Sequence, residues 1–457
     1  MRLFVLILAA GLGKRMKSSK PKVLQNLGHK PLIVHVLDTL TKIEVDEVGI
    51  IYGHLAEQLK IALNDRSLTW IEQKQMKGTG DALKAALPYL KQDDMVLILY
   101  GDVPLISSET LKRFMTNVRC DQLGILTTTL ENPTGLGRIL RDDNHQVIGI
   151  VEEKDATEKE RQIKEVNTGI YYLSAQLLQK WLPKLNNNNA QGEYYLTDIV
   201  AMAKDEAVEI VTHSPDYHFE VVGVNNRLEL ANLERCWQRY QAEKLLSDGV
   251  IISDPSRIDI RGNVIVGNDT SIDVNVILEG DVRIGRHCKI GPNCILNNVE
   301  LGDFVCIKAN SMLEDAQIKS HAEIGPYARI RPQCLIEEGA KVGNFVELKK
   351  TTIGKDSKVN HLSYLGDAVM GNNVNIGAGV ITCNYDGVNK HQTVIEDDVF
   401  VGSDSQLIAP VKLAKGSYIG SGSTITKNTP EGKLTINRSN RQMTLDAWQR
   451  PKKQDKK

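Results

Sequence analysis

The sequence lacks a long hydrophobic run: no apolar stretch among its 457 residues approaches the roughly 20 that a membrane helix needs. It also lacks net charge. With 56 Lys and Arg against 57 Asp and Glu, the balance of -1 excludes a general polyanion-binding surface, so nucleic acid is not expected as a partner and phosphate binding must be local. Its seven cysteines form no CxxC pair, which argues against a disulfide framework or zinc site and fits a reducing, cytoplasmic compartment.

What is present falls into two halves. Up to about residue 225, short apolar runs alternate with helical stretches: VLILAA, EVGIIYG, DMVLILYGD, QLGILTTTL and TGIYYLS. That alternation predicts an α/β sheet covered by helices. The N-terminal LFVLILAA has the apolar core of a secretory signal, but Lys14 and Arg15 follow it with no polar cleavage region, so a buried parallel strand is preferred.

From Ile260 onward aliphatic residues recur every six positions, at Ile260, Val266, Ile272, Leu278, Ile284, Ile290 and Leu296. A smaller line follows four residues behind each, from Val264 and Thr270 to Cys288 and Cys294. The register resumes at Leu301, Ile318 and Ile353 and runs cleanly again from Ile395 to Ile425. This period is neither helical nor a plain strand alternation; it predicts a parallel β-helix of about 18 residues per coil, with Cys288, Cys294 and Cys334 as packing residues. Between the halves, Arg227–Val250 carries apolar residues at helical spacing and predicts a stiff linker helix. TCNYDGVNKHQT, at 382–393, interrupts the hexads and must loop out. The basic C-terminal tail reads as solvated chain.

The glycines of LAAGLGKRM fit neither standard phosphate cradle. Met16 stands where a dinucleotide fingerprint needs its third glycine; Leu8 and Arg15 stand where a P-loop needs glycine and a hydroxyl. What remains is a tight glycine turn after a strand, with bare amides and two cations able to meet phosphate.

That turn is followed in order by KPKVLQ, EQKQMKGTGDAL and LYGDVPL, and the set resembles the sugar nucleotidyltransferases. With hexapeptide repeats behind it, the chain resembles the bacterial bifunctional family that joins N-acetylglucosamine-1-phosphate uridyltransferase to glucosamine-1-phosphate N-acetyltransferase, over about residues 1–443. The resemblance implies an α/β, Rossmann-like nucleotidyltransferase domain at 1–226, a linker helix at 227–250 and a left-handed parallel β-helix at 251–457. It implies UTP, acetyl-CoA, glucosamine-1-phosphate and N-acetylglucosamine-1-phosphate as substrates, Mg2+ as cofactor, and a homotrimer.

Site residues follow by the same resemblance. Leu8, Ala9, Ala10, Gly11, Gly13, Arg15 and Lys22 would meet the triphosphate, and Gln73, Gly78 and Thr79 the uracil. Tyr100 belongs to the nucleotide and sugar pocket; Asp102 and Asn225 would hold the metal, and Gly137, Glu152 and Asn167 the sugar. Glu152 is chosen over the adjacent Glu153 by resemblance alone, and Lys14 stands where the family often has threonine. In the repeats, His361 is the implied base, a role suited to a group that titrates near neutrality. Arg331, Lys349, Tyr364 and Asn375 would bind the sugar phosphate; Ala378, Asn384, Tyr385, Ser403, Ser421 and Arg438 would bind acetyl-CoA. The alternative is a single-activity nucleotidyltransferase with a non-catalytic β-helix, which predicts repeats without His361 and its cationic neighbours.

Overall fold

The computed structural model describes residues 1–437, with Leu12, His54 and Leu55 excepted. It divides into two compact units, Met1–Trp237 and the chain from Gln238 on. The division falls inside one continuous helix, Arg227–Ser247. Leu233 and Leu245 of that helix are buried, but Leu228 is 70% exposed, so helical spacing alone overstated its apolar face.

In the first unit a mixed sheet runs in the order Ile210–His213, Leu123–Thr129, Glu165–Ser174, Met95–Tyr100, Leu3–Leu8, Glu47–Tyr52 and Thr69–Glu72. Glu165–Ser174 is antiparallel to both neighbours. The N-terminal apolar run is an interior strand of this sheet, paired in parallel on both sides and fully buried from Phe4 to Ile7. Alternation sends Phe4, Leu6 and Leu8 into one core and Val5 and Ile7 into the other. Helices Thr79–Ala86, Ala175–Trp181 and Asp198–Asp205 cover the first face, and Leu32–Leu40 and Ser108–Thr116 the second.

The second unit is built of parallel coils. Ile260 pairs with Leu278 and Leu278 with Leu296, a step of 18; Leu296 pairs with Leu313, a step of 17. The strands form an 11-stranded and a 15-stranded sheet, with long early strands such as Ile258–Val266 in the second. Every aliphatic residue of the six-residue line points inward, and Cys288, Cys294 and Cys334 are buried between coils. Burial pushes the Cys294 thiol up to about 11, as befits packing rather than reactivity. All seven cysteines are free thiols, and Cys120 and Cys236 lie exposed in the remainder of the chain.

Coil corners take left-handed backbone. Asn275, Asn293 and Asn310 hold one column of positive φ, but it continues through Tyr327, Phe345 and Leu362, residues that rarely adopt it. The expected interruption is real: Asn375 pairs with Phe400, a step of 25, because the chain between them carries an extra loop closed by a Tyr385–Lys390 bridge. Among the described residues no helix is long and apolar enough to cross a membrane.

Candidate functional site

The first site lies where parallel strands end side by side. Leu8 is in register with Tyr100 and with Ile51. Beyond the strand ends, Ala9 N–H donates to Ile51 O at 2.8 Å, Gly101 N–H to Leu8 O at 3.0 Å and Gln73 N–H to Tyr52 O at 2.8 Å. The turns that follow therefore converge, as ligand sites in open α/β sheets do. They enclose a cavity of about 320 Å³ lined by Leu8, Ala9, Ala10, Gly11, Lys22, Gln73, Gly78, Thr79, Tyr100 and Asp102. Val23, Met76, Ala82 and Glu193 complete the lining, and sequence reasoning did not single them out.

Each wall has a physical support. Gln73 is nearly buried and spends its amide hydrogens on Gly78 O at 3.2 Å and Asp81 Oδ2 at 2.9 Å, which leaves Oε1 as its open acceptor. Gly78 caps the Thr79–Ala86 helix with φ 102° and ψ 178°, a conformation essentially reserved for glycine, and a Cβ there would lie 2.6 Å from Tyr194 O. Gly13, at φ 57°, lets the turn press on Lys22, whose Cβ would stand 2.8 Å from an added methyl.

Lys22 forms an ion pair with Asp102, and its Nζ donates to Asn225 Oδ1 at 3.2 Å. Arg15 donates to the same amide oxygen at 3.0 Å. Asn225 reaches this place because Val224 N–H bonds to Asp102 O at 2.9 Å. A carboxylate and an amide oxygen thus converge on one cation. Such hard oxygen donors suit magnesium, which completes its octahedron with waters and substrate phosphates.

Gly137, Glu152 and Asn167 form an adjoining cluster beside Tyr100. Asn167 N–H donates to Gly137 O at 2.9 Å, and Asn167 Oδ1 accepts from Gly169 N–H at 3.0 Å. The Glu152 carboxylate accepts from the Thr197 hydroxyl at 3.1 Å. Burial chiefly, with Asp155, Asp198 and Glu193 nearby, raises its pKa. Burial likewise raises the Tyr100 hydroxyl, helped by Asp102 and Glu152. Glu153 points elsewhere, into a 2.6 Å ion pair with the buried Arg138, which separates two carboxylates that the sequence could not. Thr197, Asp81 and Glu193 were not singled out; Glu193 and Thr197 lie in the polar and aromatic run GEYYLTD before a helix, and Asp81 in the quoted EQKQMKGTGDAL.

In the second unit the repeat itself assembles the residues. Asn344 pairs with His361 in the next coil. The same corner continues as Gly379 N–H to His361 O at 3.3 Å, Asp404 N–H to Ala378 O at 2.8 Å and Gly422 N–H to Ser403 O at 2.8 Å. His361, Ala378, Ser403 and Ser421 therefore share one strip. His361 Nδ1 is 2.9 Å from Asn344 Oδ1; the amide oxygen accepts, so Nδ1 carries the proton and Nε2 is left basic.

Beside this strip, Arg331 and Lys349 are neighbours in adjacent coils, following the paired Ile330 and Leu348. Arg331 is paired with Glu347 at 2.8 Å. The looped-out segment adds Lys390, whose like charge, with that of Arg331, lowers the Lys349 pKa. Lys390 was not anticipated; its sole sequence signal was its place in the insertion. Tyr364 Oη and Asn384 Nδ2 meet over Gly366, where neither leaves room for a Cβ, and Asn384 donates to Asp367 at 2.6 Å. Tyr385 closes the loop by donating to Gly387 O at 2.7 Å. Asn375 stands in register with Lys358 and Phe400. Arg438 lies outside the described residues.

Family models match in the same two halves. A MobA-like NTP transferase domain matches residues 5–155, a bacterial transferase hexapeptide model of six repeats matches 263–298, and a GMPPB C-terminal domain matches 312–418. Curated relatives span the whole chain. A bifunctional protein GlmU of Francisella philomiragia is 54% identical over 453 residues, covering 99% of this chain and 100% of its own. Proteins of that name from Francisella tularensis subsp. novicida, at 56% with 100% of both chains covered, and Marinobacter nauticus, at 50% with 99% of both covered, are similar throughout.

Proposed function

The chain belongs to the GlmU family of bifunctional proteins, and on that premise we infer that it makes UDP-N-acetylglucosamine in two separate sites, acetyl transfer first and uridylyl transfer second. We assign uridylyl transfer to residues 1–226 and acetyl transfer to 251–457, joined by the helix at 227–250. The observation that carries the first assignment is the convergence of Leu8–Gly11, Lys22, Gln73, Gly78, Thr79, Tyr100 and Asp102 on one cavity.

In uridylyl transfer, a phosphate oxygen of N-acetylglucosamine-1-phosphate attacks the α-phosphorus of UTP and the bond to the β-phosphate oxygen breaks, expelling pyrophosphate. Such a reaction needs alignment and charge neutralisation more than covalent help. Gln73 Oε1, its amide hydrogens engaged elsewhere, accepts from uracil N3–H, which cytosine lacks. Gly11 lets backbone approach the triphosphate, and Arg15 and Lys22 neutralise it. Gly137, Glu152 and Asn167 bind the sugar. A magnesium ion held by Asp102 and Asn225 would neutralise phosphate charge at the reacting centre.

In acetyl transfer, the glucosamine amine attacks the thioester carbonyl of acetyl-CoA, its proton passes to His361 Nε2, and the coenzyme leaves as thiolate. Asn344 holds the imidazole in the tautomer this requires. Arg331, Lys349 and Lys390 bind the sugar phosphate with Tyr364 and Asn375, and Asn384, Tyr385, Ala378, Ser403 and Ser421 receive the coenzyme. A homotrimer in the cytoplasm is the expected setting; its association is supported by apolar corner residues such as Tyr327, Phe345 and Leu362, which stand exposed on the coils.

Two variants test the division of labour. Asp102→Ala should abolish UDP-sugar formation and spare thiol release, and His361→Ala should do the reverse. Loss of both activities in either folded variant refutes separate sites.

A further inference from the structure

Lys22 touches both oxygens that the preceding reading assigns to the metal. Its ammonium pairs with the Asp102 carboxylate and donates to Asn225 Oδ1 at 3.2 Å. The two charged side chains are only 13% and 16% exposed, so water does little to screen the pair. Arg15 holds the same amide oxygen at 3.0 Å. An ammonium held against both groups repels a divalent ion brought to the same oxygens.

We propose that Lys22 is a built-in competitor for the metal position, so that a divalent ion binds the free protein weakly and enters together with the triphosphate that draws Lys22 away. The proposal rests on the reading of Asp102 and Asn225 as the metal pair. The geometry gives the exchange a route. Gly13 packs on the Lys22 Cβ, which fixes the base of the side chain, while the remaining methylenes carry the ammonium. Lys22 also lines the cavity that Gly11 and Thr79 share, so its ammonium can pass from the oxygens to a phosphate within that cavity. The triphosphate supplies the anionic partner that Asp102 otherwise provides. The freed carboxylate and amide oxygens then face the ion that accompanies the nucleotide.

By linkage, nucleotide and metal must strengthen each other's binding, and most of that coupling should pass through Lys22. Mn2+ serves as the probe, its free concentration read by electron paramagnetic resonance with full-length protein and no nucleotide. Lys22→Met should bind Mn2+ at least tenfold more tightly than the unaltered protein, and adding Asp102→Asn should remove the gain. Lys22→Gln, neutral but able to hydrogen-bond, replaces Lys22→Met if melting curves show that the latter does not fold. Equal Mn2+ affinity with and without the Lys22 ammonium overturns the competition. A gain that survives Asp102→Asn places the ion elsewhere and overturns instead the assignment of the metal pair.

Discussion

Replacing Gly11 with alanine separates what the N-terminal turn does for the fold from what it does for a ligand. A Cβ built on Gly11 meets nothing within 4 Å, and its backbone is not in the left-handed region. The folded protein can therefore accept the methyl without strain, and the restricted unfolded chain should favour folding by about 0.4–1 kcal/mol. The melting temperature should stay level or rise by a few degrees, at roughly 2–4 °C per kcal/mol for a unit of this size.

Nucleotide binding should respond in the opposite direction. Gly11 lines the cavity, and a methyl there holds a phosphate oxygen off the backbone amides. Losing one hydrogen bond to a charged group costs about 1.5–3 kcal/mol, or on the order of 10- to 150-fold in Kd. Calorimetric titration with UTP and a thermal melt of the same preparation measure the two effects, with thiol release from acetyl-CoA as the internal control. UTP affinity within twofold of the unaltered protein would refute the close approach of phosphate to this turn. A melting temperature lowered by more than about 5 °C would assign Gly11 to the fold instead. Gly78→Ala supplies the contrast: its Cβ would stand 2.6 Å from Tyr194 O at φ 102°, so about 2–4 kcal/mol of stability should be lost before any ligand is added.

Three further outcomes are expected. Asn344→Ala should lower the turnover of acetyl transfer roughly 10- to 100-fold with KM little changed, because the base loses its tautomer and orientation; Asn344→Asp, which keeps the acceptor, should restore most of the rate and move the acid limb of the pH profile upward. Glu152 has a folded-state pKa raised by burial, so its contribution to stability is full below the unfolded carboxylate pKa and is lost as pH rises through the folded value. Glu152→Gln should therefore raise the melting temperature at pH 8, with the gain closing toward pH 4; a pH-independent difference would contradict this sign. Asp386 is held at about 2 by the Asn389 amide, His391 and the Val388 amide, so it ties the insertion together fully above the unfolded carboxylate pKa and lets go as pH falls below that pKa and through about 2. Asp386→Asn should loosen the loop bearing Asn384, Tyr385 and Lys390, and the KM for acetyl-CoA in thiol-release assays should rise about tenfold.

The sequence was most legible where a physical period governs it. One inward residue per six, from Ile260 to Ile425, reports coil stacking because each such side chain is buried between coils. Corners were illegible, since Tyr327, Phe345 and Leu362 adopt positive φ that their side chains do not announce. In the nucleotide site the glycine turn and the GD turn could be read because strand ends advertise themselves by composition. Partners supplied by topology could not: Arg15 and Asn225 are 210 positions apart, and Gln73 is locked by an aspartate in the next helix. Glu152 and Glu153 were chemically identical on paper, and the buried Arg138 tells them apart.

The two sites reach their composition by different geometric routes, and this bears on which residues can be substituted without rebuilding the fold. At the sheet, functional residues extend strands whose register is fixed by pairing on both sides, so moving Leu8 against Tyr100 would move Gly11 against Asp102 as well. In the coils a residue's neighbours lie 17 or 18 positions away, so a column such as Asn344, His361 and Ala378 is built by repetition and tolerates change within one coil. Repetition alone gives only what each coil contains. The step of 25 between Asn375 and Phe400 breaks that limit. By lengthening a single coil it brings Lys390 to Lys349 and Asn384 over Gly366, adding a cation and an amide that no regular hexad supplies there, while the coils on either side keep their pairing.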